Sequence, residues 1–327
     1  MMSLIGKLRS IPLKILILRA LLRRLSKNHP KRVQIREELS GREAGYQSEE
    51  YLDKQIEQLL SSKFIIFHDL NFSDDGNNTY QIDNLLISPQ LALIIEVKNM
   101  TGELTFDSIN DQFYQKVGDK IKGYPDPVTQ VQRHQSYIKK LLADNNFPPV
   151  PVEYLIVINN SNAVLIFKGT SPEVRERICK SHSFHKRVPQ IEKIHTESIL
   201  TNKDLRKLSR LLLKLNTPPT NSILKQYEIK VSDLLTGVHC PSCFYLTMTR
   251  NKKQWFCPSC KEYSYDAHIL ALMDYFLLFN MKITNQQFRD FAKISSPDTS
   301  RRILLSTNLK STGTNKGRTY HPETIPW

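Results

Sequence analysis

Three apolar runs, at residues 64–70, 79–88 and 91–99, constrain this 327-residue chain more than any other feature. Each has the length of a strand; the polar tract 73–78 separates the first two, and Pro89-Gln90 separates the second and third. Turn residues between such runs predict three strands, with Pro89-Gln90 as the centre of a hairpin between the second and third. A hairpin centred there sets Asp83 opposite Glu96 and Gln81 opposite Lys98. Strand side chains alternate, so these four are expected on one face, with Ile82 and Val97 on the other. The run 91–97 reads as a buried central strand, where a charge needs a partner or a task.

Two opposed carboxylates repel unless something binds between them. A divalent ion, Mg²⁺ or Mn²⁺, does so well, taking one or two carboxylates, water and substrate phosphate oxygens. Lys98 beside them can hold charge developing on phosphate or orient the attacking water. The set suits metal-assisted phosphodiester hydrolysis. The plain alternative is a solvated face with a cross-strand ion pair.

Asp83 followed by Glu96-Val97-Lys98-Asn99 resembles the PD-(D/E)xK nuclease pattern and, more specifically, the NERD (nuclease-related domain) family of mainly bacterial proteins, over residues 41–165. Gly45, Glu49, Gln81-Ile82-Asp83, Gly102, Pro127 and Gln130 also match, while Ser48, Asn84 and Leu91 depart from the family pattern. The resemblance implies an α/β fold with a restriction-endonuclease-like mixed sheet and flanking helices. It implies Asp83 and Glu96 as metal ligands, Lys98 as the stabilising or orienting group, and Glu49 completing the acidic site from a helix. Gln130 would contact substrate or the site from the following helix, and Gln81 is expected to contact substrate.

Net charge is +14, from 46 Lys+Arg against 32 Asp+Glu, which favours an anionic partner. Residues 1–40 hold ten of the basic residues against Glu37 and Glu38. Leu4, Leu8, Ile11, Ile15, Leu18, Leu22 and Leu25 recur there at helical spacing. This basic amphipathic arm suits a packed helix, a nucleic-acid arm or a helix on an anionic membrane surface. Its longest uncharged apolar run, 15–18, is far below the roughly 20 residues of a membrane span. The expected location is cytoplasmic, with nucleoid or membrane-surface association.

Beyond a break at 41–45, residues 41–216 are expected to run helix (49–60), three strands, helix (129–142), two strands (154–159 and 163–167) and helix (205–215) around one sheet. His134 shares a helix face with Gln130, for packing or for substrate contact. His182, His185 and His195 are expected at the surface, and Cys179 as a small buried residue. A linker, 217–236, opens at Pro218-Pro219.

Cys240-Pro-Ser-Cys243 and Cys257-Pro-Ser-Cys260 flank a hairpin-like segment in residues 237–266, which resembles a zinc ribbon. Four thiolates close a tetrahedral Zn²⁺ shell and leave no position for water, so the site is expected to be structural. Arg250, Lys252, Lys253 and Trp255 are expected to touch nucleic acid or to form a solvated tip. Residues 267–327 look helical, with a winged helix-turn-helix pattern at the end. Arg301 and Arg302 start its second helix, where major-groove contacts are made, and Lys316 and Arg318 lie in the wing. The alternative is a helical cap on the ribbon.

The sequence therefore points to a metal-dependent nuclease acting on DNA, in processing or defence. The rival is a non-catalytic DNA-binding or scaffold protein that uses the same fold, ribbon and tail only for binding.

Overall fold

The computed structural model describes residues 5–60, 63–74, 76, 78–217 and 223–323. Leu4, Pro218 and Pro219 lie outside them. The chain divides into two units, residues 1–10 with 43–219 and residues 11–42 with 220–327. Strand β1 (Ile5–Lys7) thus belongs to the first unit and helix α1 (Leu13–Arg24) to the second, while helix α2 (Arg32–Leu60) contributes to both. The amphipathic arm is not a free arm: residues 5–7 pair into a sheet, and Ile15, Leu18 and Leu25 of its apolar stripe are buried, whereas Leu8 is exposed.

Helix α2 also runs through Gly41 and Gly45, where a break was expected. The flanking Glu, Arg, Leu and Ala residues are strong helix formers, and their run absorbs the ~1 kcal/mol cost of each glycine. Neither glycine is needed for close packing, since a Cβ at either position would meet nothing within 4 Å.

In the first unit the three apolar runs become β2 (Ile65–Ser73), β3 (Thr79–Ile87) and β4 (Ala92–Lys98). The hairpin register centres on Pro89-Gln90, with Ile87 opposite Ala92 and Asn84 opposite Ile95. Strands β5 (Gly102–Asp107), β6 (Gln112–Val117) and β7 (Lys120–Tyr124) follow, then α3 (Pro127–Asp144), started by the Asp126 carboxylate capping Val128 and Thr129 N–H. Next come β8 (Val152–Ile158), β9 (Ala163–Lys168), α4 (Pro172–Glu176), β10 (Ile178–Lys180), α5 (Phe184–Ile194) and α6 (Asn202–Leu215).

These strands form two sheets rather than one: a six-stranded mixed sheet ordered β1-β2-β3-β4-β8-β10 and a four-stranded sheet ordered β7-β6-β5-β9. The second sheet went unread because β6 and β7 are short and largely exposed, so no apolar run marks them. One face of the main sheet packs on α3, α6 and residues of the second sheet, and the other, which carries Cys179 of β10, packs on α2 and α5.

Alternation along β2 and β3 reverses once. Ile65 and Phe67 share a core layer with Leu70 and Phe72, and Leu85 and Ile87 share that layer with Ile82. The reversal falls at Asp69, whose φ of 50° is left-handed, and at the facing Asp83. Ile82 and Val97 consequently lie in opposite core layers, not on the common face expected from simple alternation.

In the second unit, the expected linker carries α7 (Ile223–Gln226) and buries Tyr227, Ile229 and Leu234, with the Tyr227 hydroxyl donating to Glu38. The ribbon strands β11 (Thr249–Asn251), β12 (Gln254–Phe256) and β13 (Tyr263–Ser264) share one core with α8 (His268–Leu278), α9 (Asn285–Ala292) and α10 (Pro297–Ser306). Strand β14 (Ile283–Thr284) precedes α9, and β15 (Leu309–Thr312) and β16 (Thr319–Pro322) follow α10 as an antiparallel sheet ordered β14-β16-β15. Helix, strand, two helices and a two-stranded wing is winged-helix order. Trp255 is fully buried, donating to His268 Nδ1 at 3.1 Å, so it is a core residue and not a nucleic-acid contact.

Helix α1 is locked into this unit by charge. Arg24 and Asp274 both have fully buried side chains, with Arg24 Nε donating to Asp274 Oδ2 at 2.7 Å and Arg23 Nη2 to Oδ1 at 2.5 Å. Arg24 Nη1 also donates to the Gly237 carbonyl at 2.8 Å. Removing one partner of a buried pair leaves the other charge uncompensated, at a cost of about 3–5 kcal/mol. Asp274→Ala is expected to destabilise the unit by that amount and to raise amide hydrogen exchange in α1 and α8. Unchanged exchange in both helices would refute this role.

Candidate active site and zinc centre

The ends of β3 and β4 carry the acidic site. Asp83 and Glu96 are 8% and 2% exposed, an unusual placement for two carboxylates. Beyond Asn84 and Ile95 the side chain of Asp83 enters the ladder itself, where its Oδ2 accepts the Val97 N–H at 2.8 Å. Glu96 points to the α3 side. Its Oε1 accepts from Lys98 Nζ at 2.6 Å and from Gln130 Nε2 at 2.9 Å, and Lys98 also donates to Gln130 Oε1 at 3.0 Å. Gln130 therefore holds the Glu96–Lys98 pair in place from the neighbouring helix.

Glu49 approaches from the other face, on α2, and is held by Arg9. The Arg9 guanidinium donates to Glu49 Oε2 at 2.5 Å, to Asp53 Oδ2 at 2.6 Å and to the Asp83 carbonyl at 2.8 Å. His68 Nδ1 stands 3.2 Å from Asp53 Oδ1 and its Nε2 3.1 Å from Glu57 Oε1. Glu49, Asp53 and Glu57 form an i, i+4 acidic stripe on α2, a signal present in the sequence but not read there. Gln81 leaves the expected face: it is exposed and donates to Asp69 Oδ1 at 3.0 Å. The reversal of alternation at Asp69 and Asp83 is the physical reason.

Electrostatics follow from this crowding. Burial, then the Asp83 charge, pushes Glu49 and Glu96 each up to about 8, against the pull of Arg9 and Lys98 respectively. Burial also raises Asp83, although Lys98 and Arg9 oppose it. For Lys98, burial disfavours the charge, but Glu96 and Asp83 outweigh it and the ammonium is held above its ordinary value. His134 is pushed down to about 4 by burial, then by Lys98 and Arg133.

A divalent cation fits this donor set. Asp83 and Glu96 supply hard oxygen ligands, burial and mutual repulsion oppose their charge, and Glu96 Oε2 is buried with no hydrogen-bond partner among the described residues. Nearby, a cleft of about 420 Å³ is lined by polar, uncharged groups that include Gln47, Ser48, Asn99, Asn159 and Ser181. Ser48 is buried, and its carbonyl and hydroxyl accept from Asn159 Nδ2 at 2.8 and 2.9 Å.

In the second unit, the ligand atoms of Cys240, Cys243, Cys257 and Cys260 all lie within 4.8 Å of one another. Sγ separations of 3.5 Å (Cys240–Cys260) and 3.6 Å (Cys243–Cys257) suit tetrahedral thiolates around zinc at about 2.3 Å. The two Cys-Pro-Ser-Cys turns are built alike. Each puts its next residue in the left-handed region (Phe244 φ 60°, Lys261 φ 66°), with that N–H donating to the carbonyl of the first cysteine at 2.9 Å. Arg301 and Arg302 are exposed on α10. Histidines 182 and 185 are exposed, and His195 pairs with Glu153 at 2.7 Å.

Residues 44–159 match the NERD family model, described as nuclease-related domain. The matched stretch holds Glu49, Asp83, Glu96, Lys98 and Gln130, whereas Arg9 and the four clustered cysteines lie outside it. No curated protein and no solved structure matched the chain. Among the described residues no helix is long and apolar enough to cross a membrane.

The raised carboxylates carry a pH signature. An unfolded chain releases the Glu49 and Glu96 protons near 4.5, whereas the folded site keeps them to about 8. Their contribution to stability is complete below 4.5 and lost as pH rises through 8. Buried His134 acts in the opposite sense, but only below its ordinary 6.5. Thermal unfolding of the zinc-loaded protein in magnesium-free buffer should therefore show falling stability between pH 6.5 and 8, reversed by added Mg²⁺. A flat profile would contradict the uncompensated burial of these acids.

Proposed function

We propose that this protein is a metal-dependent nuclease that hydrolyses DNA phosphodiester bonds at the Asp83–Glu96–Lys98 site. One observation carries the reading: two buried carboxylates with raised proton affinity sit beside a lysine ammonium, inside the stretch that matches the nuclease-related domain. Asp83 and Glu96 would hold Mg²⁺ or Mn²⁺. When bound, the ion supplies Lewis-acid polarisation of the phosphate and a more acidic water.

The protein's own residues then have distinct tasks. Asp83 is fixed by the Val97 amide, so its carboxylate cannot swing away from the end of β4. Lys98, oriented by Gln130 and Glu96, presents a fixed positive charge for the phosphoryl oxygens. Glu49 assists from α2, held by Arg9. The amide- and hydroxyl-lined cleft beside Ser48 and Asn99 suits sugar and base edges of the strand being cut.

Under this reading the winged helix offers Arg301 and Arg302 to DNA, and the zinc ribbon serves as its folded support. Binding would be steeply salt-dependent, as counterion release requires. The buried apolar stripe of α1 argues against the membrane-surface role weighed for the arm.

Cleavage of linear, circular and single-stranded DNA by the full chain should require Mg²⁺ or Mn²⁺. Loss of the Lys98 charge in Lys98→Ala should slow it roughly 100-fold or more, the usual effect of deleting one charge-stabilising group. Metal-independent DNA binding with no cutting of any of these substrates would favour the binding-only alternative.

A further inference from the structure

Helix α3 brings one more side chain to the acidic site, and the proposed hydrolysis gives it no task. His134 lies one turn after Gln130 and is 5% exposed. Its Nδ1 stands 3.8 Å from Glu96 Oε2. Both atoms are buried, and neither has a hydrogen-bond partner among the described residues. The separation is too long for a hydrogen bond. Two orphaned polar atoms aimed at each other inside a protein are a costly arrangement, and such groups need an explanation in a bound water or ion.

The other oxygen of Glu96 is already taken, accepting from both Lys98 and Gln130. Oε2 is thus the atom left to receive a ligand. The imidazole is also oriented. The Tyr80 ring meets it edge-on at 6.4 Å between centroids, and Tyr80 is itself stacked on Tyr137 at 4.3 Å. Val131 and Ile138, buried on the same helix, anchor that turn in the core.

We propose that His134 Nδ1 and Glu96 Oε2 are two ligands of one divalent ion, and that the imidazole biases the site toward a first-row transition ion such as Mn²⁺ over Mg²⁺. This rests on reading Asp83 and Glu96 as metal-holding groups. Metal–ligand bonds of about 2.0–2.2 Å place two donors on one ion roughly 3–4.3 Å apart, a range that contains the observed spacing. Mg²⁺ takes oxygen ligands and keeps its waters, whereas a ring nitrogen suits transition ions better. Lys98 stays bonded to Oε1, outside this pair.

The test uses the full-length, zinc-loaded chain and the metals alone, without nucleic acid. Mn²⁺ binding is followed by electron paramagnetic resonance, with pulsed measurements for nitrogen coupling, and Mg²⁺ binding by calorimetry. Wild type is expected to bind Mn²⁺ more tightly than Mg²⁺ and to show imidazole nitrogen modulation. His134→Gln should abolish that modulation and weaken Mn²⁺ about tenfold or more, while Mg²⁺ affinity changes by less than about threefold. His134→Asn gives a second, smaller replacement if glutamine crowds the helix, and circular dichroism verifies folding of both.

Mn²⁺ bound to wild type without nitrogen modulation, or bound equally well by the folded variants, overturns the assignment of His134 and leaves a metal held by oxygen alone. Absence of any Mn²⁺ or Mg²⁺ binding by wild type beyond the zinc centre overturns both this assignment and the metal-site reading. Asp83→Asn tests the metal-site reading apart from His134, since it should weaken both ions where His134→Gln weakens only Mn²⁺.

Discussion

Buried carboxylate is the constraint around which the first unit is arranged. Asp83 and Glu96 sit at the end of the central strands with little water to solvate them, and Glu49 and Asp53 approach from α2. Isolated charges of this kind are costly, so the fold surrounds them with donors: the Val97 amide, the Lys98 ammonium, the Gln130 amide and the Arg9 guanidinium. These donors come from β4, α3 and the segment after β1, which explains why three separate stretches of the unit converge on one sheet end. The compensation is incomplete, since burial still raises the proton affinity of Glu49, Asp83 and Glu96. An additional cation would complete it.

What was legible in the sequence was local. Pro89-Gln90 between two apolar runs sets the hairpin register, and the spacing of the four cysteines is enough to bring their thiols together. What was not legible depended on distance or on backbone conformation. Arg9 reaches residues 40 to 74 positions away, and nothing in the sequence of residues 5–7 reports that they pair beside β2. The left-handed Asp69 turns the alternation over, so Gln81 and Ile82 fall on faces that a simple period-two count assigns wrongly. Strands β6 and β7 carry no apolar run because both of their faces are largely open.

The second unit solves a different problem. A ribbon of three short strands has little apolar surface of its own, so it draws on neighbours for a core. Cys240, Cys257 and Trp255 are buried in the same cluster as Phe276, Phe288 and Ile303, and helix α1 is pinned alongside by Arg24 and Asp274. Basic residues that looked like a solvated arm are thereby divided. Arg23 and Arg24 neutralise one buried aspartate, and Lys14 pairs with Glu38 at 2.8 Å, so part of the positive charge at the N-terminus is spent inside the fold.

The reversal at Asp69 and Asp83 has a consequence for how the two sides of the main sheet communicate. In a regular sheet, side chains on opposite faces are insulated from one another by the backbone layer between them. Here Asp83 occupies that layer: its carboxylate meets the amide of Val97 while its carbonyl meets Arg9 from the α2 side. Asp83 thus joins the two sides: α2 holds Arg9, Arg9 bonds the Asp83 carbonyl, and the Asp83 carboxylate bonds the strand that carries Glu96 and Lys98.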